Sequence, residues 1–168
     1  MDNIMPESLN INLIGSAYDG DEIETKLFLD QGACVNYFDP KGYSAVHWSA
    51  FRGAVGNQLE VMKLLIRFGA NLNSLTQNDR PQSVLSFAIY SGNVELVRLL
   101  LENGADCNIL SNEVTPLMHA AQVNSVEAVK ILLSYGADTK VVSKGYTARD
   151  YAIYYDANEI VKLLQEEP

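Results

Sequence analysis

The chain contains few of the residues from which metal centres and many catalytic sites are built. It has two histidines, two cysteines and one tryptophan among 168 residues, and Cys34 and Cys107 lie far apart. The sequence contains no CxxC and no HxxxH pair, so the ligand spacing of a metal site is missing. Two distant cysteines also argue against a disulfide-dependent scaffold and favour a reducing, intracellular setting, which we take as cytoplasmic.

Long apolar runs and catalytic motifs are missing as well. No stretch approaches the roughly 18 apolar residues of a membrane helix, and the N-terminal residues lack the basic start and apolar stretch of a secretion signal. No glycine-rich phosphate loop, GxSxG elbow or paired-carboxylate motif occurs. We therefore predict no membrane partner and no cofactor, and no set of residues supports catalysis.

Basic residues are outnumbered, with 12 Lys and Arg against 21 Asp and Glu, which gives a net charge of −9. This charge repels phosphate backbones, so no direct nucleic-acid binding is expected. It would attract a basic protein, but ordinary solubility is the simpler explanation of a net charge of this size. The acidic cluster of Asp19, Asp21, Glu22 and Glu24 is typical of a solvated turn, and the alternative is a contact site for Lys or Arg side chains of a partner.

What the sequence does contain is a segment that recurs four times. The segments LFLDQGACVN, LLIRFGANLN, LLLENGADCN and ILLSYGADTK place Gly-Ala pairs at Gly32, Gly69, Gly104 and Gly136, at spacings of 37, 35 and 32 residues. A period of about 33 residues is typical of stacked repeats, in which each unit buries its apolar face against its neighbours. Each glycine is predicted to end a helix, because glycine tolerates the left-handed conformation of a C-terminal cap.

The segment before each glycine is predicted to be a helix with one buried face, since its apolar residues recur at three- and four-residue spacing. These longer helices are expected at 60–68, 95–103 and 127–135. One continuous core is expected to contain Leu65, Leu100 and Leu132, with Lys63, Arg98 and Lys130 outside.

A shorter helix is predicted before each longer one, with Ser or Thr at its start to satisfy free backbone donors. The shorter helices are expected at 44–51, 83–90, 115–122 and 147–154. The turn that joins the two helices of a unit is expected at Gly53, Gly92, Asn124 and Asp156.

These units resemble ankyrin repeats, most closely in TPLMHAAQVNSVEAVKILLSYGAD and LSFAIYSGNVELVRLLLENGADCN, while GYTARDYA resembles the start of a terminal repeat. The resemblance implies an all-α ankyrin-repeat solenoid of five helix-turn-helix repeats in one domain, 1–168, with the first and last repeats acting as caps. The repeats are predicted at about 8–39, 40–76, 77–111, 112–143 and 144–168.

The units depart from the family pattern in three places. The first lacks the Thr-Pro-Leu-His start. The second carries about four extra residues between its helices, at 54–57, and the third carries about two extra residues in its loop, around 78–81. Neutral drift and contacts with a partner are both open as explanations of the insertions.

The resemblance also gives roles to single polar residues. His47 falls at the histidine of the Thr-Pro-Leu-His motif, which supports stacking through a hydrogen bond to the neighbouring loop. His119 lies one place later and is expected to point toward the inner surface, where a partner could contact it. Asn36, Asn73 and Asn108 are expected to stabilise the loop backbone, and asparagine hydroxylation, a modification found in the family, stays open.

Aromatic residues recur at two positions of the shorter helices. The outer row consists of Tyr18, Phe51, Tyr90, Gln122 and Tyr154, and the inner row, three residues earlier, consists of Gly15, Trp48, Phe87, His119 and Tyr151. Because residues three apart lie on one helix face, the two rows are predicted to run side by side across the stack. The resemblance places them on the concave surface that ankyrin proteins use for binding. Packing between repeats is the alternative for the inner row.

The loop tips supply weaker candidates, which are Tyr37, Phe38, Lys41, Tyr43, Arg80, Leu110, Glu113, Val142 and Tyr146. The residues predicted to bind a partner are therefore Tyr18, Trp48, Phe51, Arg52, Phe87, Tyr90, His119, Gln122, Tyr151, Tyr154, Tyr43 and Arg80.

The function predicted from the sequence is non-catalytic binding of another protein, with masking or inhibition of a basic partner, by a chain that is a monomer on its own. A toxin-neutralising bacterial immunity protein or a host-directed effector fits the same size and charge. A self-associating or structural module is a competing class. An enzyme is another, and it would require acid and base groups with shifted pKa values in a pocket.

Overall fold

The computed structural model describes residues 6–53 and 56–165, and these residues form ten α-helices. The helices are α1 (Pro6–Asp19), α2 (Glu22–Asp30), α3 (Ala45–Phe51), α4 (Gln58–Arg67), α5 (Val84–Tyr90), α6 (Val94–Glu102), α7 (Pro116–Gln122), α8 (Val126–Ser134), α9 (Ala148–Tyr154) and α10 (Asn158–Leu163). The odd-numbered helices pack side by side, and each even-numbered helix packs on the odd-numbered helix before it. The predicted all-α solenoid of helix pairs is confirmed.

Each of the four shorter helices begins at a hydroxyl side chain, as predicted. The hydroxyl of Thr115 accepts a hydrogen bond from the backbone N–H of Met118 at 3.2 Å, and Pro116 occupies the first helical turn of α7. Ser83 accepts in the same way from Ser86 at 3.1 Å. Since the first turn of a helix has N–H groups without helical partners, these caps fix where the helices start.

The longer helices end at the predicted glycines. Gly69, Gly104 and Gly136 have φ angles of 83°, 87° and 82°, in the left-handed region that favours glycine. The chain then turns sharply toward the next unit.

Three asparagines join successive Gly-Ala turns, and we call these contacts the asparagine staples. The side-chain carbonyl of Asn73 accepts from the backbone N–H of Asp106 at 2.8 Å, and its amide donates to the carbonyl of Gly104 at 3.2 Å. The same two bonds are made by Asn36 to Asn71 and Gly69, and by Asn108 to Asp138 and Gly136. The expected stabilisation of the loop backbone is confirmed, and it acts between units.

The core runs without interruption between the two helix layers. Leu65, Leu100 and Leu132 are completely buried, as predicted. Small residues line the contacts between odd-numbered helices, and the alanines with no exposed surface include Ala50, Ala88, Ala120 and Ala152. Lys63, Arg98 and Lys130 are exposed on the even-numbered helices.

The first unit differs from the others in its first helix. Helix α1 has 14 residues, whereas α3, α5, α7 and α9 have seven each, and it begins two residues before the predicted start of the first repeat at residue 8. The other helix pairs lie inside the predicted repeat boundaries.

The turn of the second unit contains Gly53, as predicted, but its residue with left-handed backbone lies further along the connection. Gly92, Asn124 and Asp156 have left-handed backbone in the other units, with φ angles of 72°, 53° and 55°, but the corresponding residue here is Gly56, at 71°, and not Gly53. The reason is the insertion, which lengthens the connection between helices. Of the predicted insertion 54–57, Ala54 and Val55 lie outside the described residues.

Gly53 instead contacts the third unit. Its carbonyl accepts a hydrogen bond from the side-chain amide of Asn93, which also caps the start of α6. A Cβ atom at Gly53 would lie 2.8 Å from Leu96 and 2.7 Å from the hydroxyl of Ser91, so a larger residue would push the units apart.

The longer loop of the third unit rests on the loop before it. The backbone N–H of Gln77 donates to the carbonyl of Gly42 at 2.8 Å. Gly42 has a φ of 81°, and a Cβ atom there would lie 2.5 Å from the carbonyl oxygen of Gln77, so only glycine fits. Asn78 caps the insertion by accepting from the backbone N–H of Arg80 at 3.1 Å.

Candidate partner-binding surface

The outer row forms an exposed aromatic stripe on the odd-numbered helices, and we call the surface that carries both rows the odd-helix face. Phe51, Tyr90 and Tyr154 are 52%, 45% and 78% exposed. Tyr18 and Gln122 are half-buried. The stripe therefore crosses the stack at the positions predicted from the sequence. Its most exposed ring, Tyr154, lies at the C-terminal end.

The inner row is less exposed. Trp48, Phe87 and Tyr151 are half-buried and pack against the core, which fits the alternative of packing between repeats. At Gly15 the row has no side chain, and a Cβ atom there would meet no other atom within 4 Å. A groove of about 530 Å³ opens at this position, with Ile11 and Trp48 among its walls.

Rings from the first three units meet in one group, the N-terminal aromatic cluster, which consists of Tyr18, Tyr43, Trp48, Phe51 and Phe87. Trp48 stacks on Tyr43 with ring centroids 4.6 Å apart and receives Tyr18 and Phe51 edge-on at 5.4 and 5.9 Å. Phe51 continues the contact to Phe87 at 5.9 Å. These stacked and edge-on arrangements are the favourable ones for aromatic pairs.

Polar groups of the same chain hold this cluster in place. The indole N–H of Trp48 donates to a carboxylate oxygen of Asp39 at 2.8 Å. The other carboxylate oxygen accepts from the backbone N–H groups of Lys41 at 2.8 Å and Tyr43 at 3.0 Å. One loop carboxylate therefore fixes both the tryptophan and the loop that carries the stacked tyrosine.

Two cations of the chain lie over rings of the N-terminal aromatic cluster. The guanidinium of Arg52 lies 4.8 Å from the ring centroid of Tyr18, and the ammonium of Lys41 lies 5.9 Å from that of Trp48. Both distances are within the range of cation–π attraction. Arg52, predicted as a partner contact, is therefore engaged with its own chain.

A second aromatic group, the tyrosine box, lies at the C-terminal end of the odd-helix face. Its members, with one carboxylate, are Tyr146, Asp150, Tyr151, Tyr154 and Tyr155, and they line a pocket of about 300 Å³. Tyr146 and Tyr151 are 6.4 Å apart with their planes at 88°, and Tyr154 and Tyr155 are 5.0 Å apart at 78°. The perpendicular pairs form corners and not a flat stack.

Two members of the tyrosine box, Asp150 and Tyr155, were not predicted as site residues. Tyr155 lies in the turn after α9, outside both helical rows. The signal that could have found it is the tyrosine doublet at this turn, because the equivalent second residues in other units are Arg52, Ser91 and Val123.

A chain of hydrogen bonds links the outer row to the tyrosine box. The hydroxyl of Tyr90 donates to the side-chain carbonyl of Gln122 at 3.0 Å, and the amide of Gln122 donates to the hydroxyl of Tyr155 at 3.1 Å. Burial, followed by the nearby hydroxyls of Tyr155 and Tyr151, raises the pKa of Tyr90, so its hydroxyl stays a donor. Gln122, predicted as a partner contact, thus positions its neighbours.

The expectation that His119 is open to a partner is wrong. Only 3% of this residue is exposed, because the ring of Tyr90 covers it at a centroid distance of 4.9 Å. Its Nδ1 lies 2.9 Å from the hydroxyl of Ser86, and burial lowers its pKa to about 4.

His47 has the expected structural role. The backbone N–H of Ser44 donates to its Nδ1 at 3.3 Å, so Nε2 carries the hydrogen and donates to the carbonyl of Ser74 in the next loop at 3.1 Å. Burial, opposed by the bond to Ser74, lowers the pKa of His47 to about 4. The neutral ring therefore ties α3 to the loop that leads into the third unit.

The predicted loop-tip residues differ in exposure. The exposed ones are Lys41, Arg80, Leu110, Glu113, Val142 and Tyr146. Tyr37, Phe38 and Tyr43 are half-buried, since Tyr37 packs against the core and Tyr43 stacks in the N-terminal aromatic cluster. The loop tips thus supply fewer free aromatic rings than the sequence predicted.

The acidic cluster near the first turn is partly structural. Asp21 caps α2 by accepting from the backbone N–H of Glu24 at 2.9 Å, and Glu22 accepts from the side-chain amide of Asn57 at 2.9 Å. Asp19 is exposed beside the groove at Gly15.

Residues 6–53 and 56–165 contain no group of three or more His, Cys, Asp or Glu side chains that could hold a metal ion. No helix among them has the length and apolar character needed to cross a membrane. Cys34 is exposed and Cys107 is buried; the thiol of Cys107 donates to the carbonyl of Tyr135 at 3.4 Å, and burial raises its pKa.

Comparison with known proteins agrees with the repeated architecture. A family model described as ankyrin repeats in three copies matches residues 51–143 and 85–168. The palmitoyltransferase ZDHHC13 of Homo sapiens is 28% identical over 118 residues, which are 70% of this chain and 18% of that protein. A putative ankyrin repeat-containing protein of Treponema pallidum is 36% identical over 110 residues, which are 65% of this chain and 35% of that protein.

A shorter relative gives the same result. The Notch-regulated ankyrin repeat-containing protein of Xenopus laevis is 36% identical over 67 residues, covering 40% of this chain and 54% of that protein. The matched regions thus span between 18% and 54% of these three relatives. Ankyrin repeats are generally non-catalytic and mediate protein–protein interaction. The helix pairs, the glycine caps and the family match together establish that the chain belongs to the ankyrin repeat family.

Proposed function

We propose that the chain binds another protein through the odd-helix face and the adjoining loop tips, without catalysing a reaction on that protein. The observation that supports this most strongly is the repeated exposure of an aromatic ring at one position of three units, at Phe51, Tyr90 and Tyr154. Aromatic rings give interfaces much contact area for few rotatable bonds, and exposed apolar stripes mark interaction sites.

The partner we propose is basic, and the chain masks its surface. The net charge of −9 supports this, as does the exposed position of Asp19 at the groove beside Trp48. Opposite charge steers the two proteins together, so the association rate should fall as salt is added. The chain alone is proposed to be a monomer, and light scattering during size-exclusion chromatography tests this.

The test of this function is capture of a partner by the double variant Phe51→Ala with Tyr90→Ala. Both side chains are about half exposed, so the variant should fold while it loses a large part of the stripe. A protein captured by the wild-type chain, identified by mass spectrometry and purified, is expected to bind the double variant at least about tenfold more weakly, the effect of removing interface hot spots.

The matched control is Tyr135→Ala. Tyr135 is 42% exposed in the turn after α8, away from the odd-helix face. This variant should bind the partner as the wild type does. Unchanged affinity of the double variant, with both proteins folded by circular dichroism, would show that the stripe is not the binding surface.

A further inference from the structure

Three of the four rings of the tyrosine box are exposed, and only Tyr151 packs against the core. Tyr154 and Tyr146 are 78% and 56% exposed, and Tyr155 is 41% exposed. Four tyrosines nonetheless come together from a loop, from α9 and from the following turn around one pocket. We propose that this pocket binds an alkylated ammonium group, the chemistry of a methylated lysine side chain on a protein partner. The inference deepens the proposed function and rests on it.

The arrangement of the rings supports a cation as the ligand. The face of an aromatic ring carries negative electrostatic potential, so an ammonium group over it is attracted, and cages of several rings recognise quaternary ammonium groups. In the tyrosine box the rings of each pair stand at 88° and 78° to one another, so the rings that line the pocket differ in orientation. The volume of about 300 Å³ leaves room for a branched group of this size.

A fixed negative charge completes the pocket. Asp150 lies in its lining, and one of its carboxylate oxygens accepts from the hydroxyl of Thr147 at 2.6 Å and from its backbone N–H at 2.8 Å. These bonds, with a smaller contribution from Arg149, lower the pKa of Asp150, so the carboxylate is ionised at neutral pH. The capping box of α9 therefore also holds a charge beside the rings.

Among the residues that the structure describes, the lining consists of four tyrosines and one aspartate and contains no basic side chain. This differs from the N-terminal aromatic cluster, where Arg52 and Lys41 lie over the rings. Alkylation favours binding, because an unmodified lysine ammonium is strongly hydrated and would have to give up water to enter. In place of that hydration water, the pocket provides one carboxylate and otherwise mainly aromatic ring surface.

The test measures binding of three short peptides by titration calorimetry and by NMR shifts of the tyrosine rings. The peptides are identical except for one side chain, which is trimethyl-lysine, lysine, or the neutral analogue with a tert-butyl group in place of trimethylammonium. The trimethyl-lysine peptide should bind about tenfold more tightly than the neutral analogue, as expected for a desolvated cation on several rings. It should also bind more tightly than the lysine peptide. Equal affinity for all three, or no saturable binding, would overturn the proposal.

Variants locate the binding. Tyr154→Leu should weaken binding of the trimethyl-lysine peptide about tenfold, whereas Tyr154→Phe, which keeps the ring, should retain it. Asp150→Asn removes the charge but keeps an acceptor for Thr147, so it should weaken binding without unfolding α9. Tyr135→Leu is the matched control and should leave affinity unchanged. Affinity that is insensitive to both Tyr154→Leu and Asp150→Asn would place the cation elsewhere and overturn the proposal.

Three outcomes separate this inference from its alternatives. Vesicles of phosphatidylcholine present the same ammonium group on a lipid, and stronger binding to them than to the peptide would contradict a protein side chain as the ligand. Partner capture that depends on Phe51 and Tyr90, together with no peptide binding, would overturn the cation site alone. Peptide binding together with capture that ignores these two residues would instead overturn the proposed binding surface.

Discussion

The two ends of the odd-helix face carry aromatic rings in opposite electrostatic settings. In the N-terminal aromatic cluster, Arg52 and Lys41 lie 4.8 and 5.9 Å from the centroids of two rings, and Asp39 receives the indole N–H of Trp48. The tyrosine box has no basic residue in its lining and contributes the carboxylate of Asp150. The row of aromatic residues in the sequence therefore includes two kinds of surface. At one, cations of the chain itself lie over the rings; at the other, the rings can bind a cation from outside the chain.

The largest expected effect is a loss of stability in acid. It compares the N-terminal and C-terminal halves of the stack, because each half contains one buried histidine. Burial lowers the pKa of His47 and His119 from 6.5 to about 4. Below pH 6.5 both histidines are protonated in the unfolded chain, whereas in the folded chain they stay neutral down to about pH 4. The free energy of unfolding should therefore be highest above pH 6.5 and fall between pH 6.5 and 4, by about 3 kcal/mol for each histidine.

Urea denaturation at a series of pH values measures this loss. His47→Gln and His119→Gln should each remove their own share of the slope between pH 6.5 and 4, and carboxylates that titrate near pH 4 contribute equally to all variants. A profile of either variant as steep as that of the wild type would contradict the assigned pKa.

A smaller effect should distinguish the two aromatic groups directly. Trp48→Ala is expected to lower the free energy of unfolding by about 2–3 kcal/mol, because its half-buried ring contacts three others and its N–H bonds to Asp39. Tyr154→Ala removes a ring that is 78% exposed and should cost less than about 0.5 kcal/mol. Urea denaturation at pH 7.5 gives both values, and equal losses would remove the distinction between the two groups.

The smallest effect concerns the connection between the outer row and the tyrosine box. Tyr90→Phe removes the hydroxyl that donates to Gln122, which in turn donates to Tyr155. Because Tyr90 is 45% exposed, stability should change by about 0.5 kcal/mol or less. The ring resonances of Tyr155 should nevertheless shift in NMR spectra, whereas Tyr135→Phe should leave them in place. Unchanged Tyr155 resonances in Tyr90→Phe would show that the hydrogen bonds through Gln122 do not couple the outer row to the tyrosine box.

The sequence predicted the helices and the core well, because both follow from periodicity within one unit. Gly69, Gly104 and Gly136 ended the longer helices, and the apolar spacing identified the buried leucines. Gly53 lies in the predicted turn, but the sequence did not reveal that the added residues move the left-handed position to Gly56. Periodicity gives the conformation of a unit but does not place an insertion within it.

The sequence predicted the candidate site less completely, because its contacts join different units. The three-residue spacing put His119 on the right helix face, but it could not reveal that the ring of Tyr90, from the preceding unit, covers it. The grouping of Tyr146, Tyr151 and Tyr154 with Asp150 and Tyr155 was missed for a similar reason, since Tyr146 approaches from a loop and Tyr155 from a turn. Only the packed stack brings these side chains together.

The asparagine staples give the stack a direction, since each asparagine lies after one Gly-Ala turn and hydrogen-bonds to the backbone of the next one. In the fourth unit the equivalent residue is Lys140, whose ammonium can donate a hydrogen bond but cannot accept one. Helices α9 and α10 are joined to the stack through their packing on α7 and α8 and through the hydrogen bond from Gln122 to Tyr155. All the residues that line the tyrosine box belong to this unit, so a cation held there would stabilise the fifth unit directly.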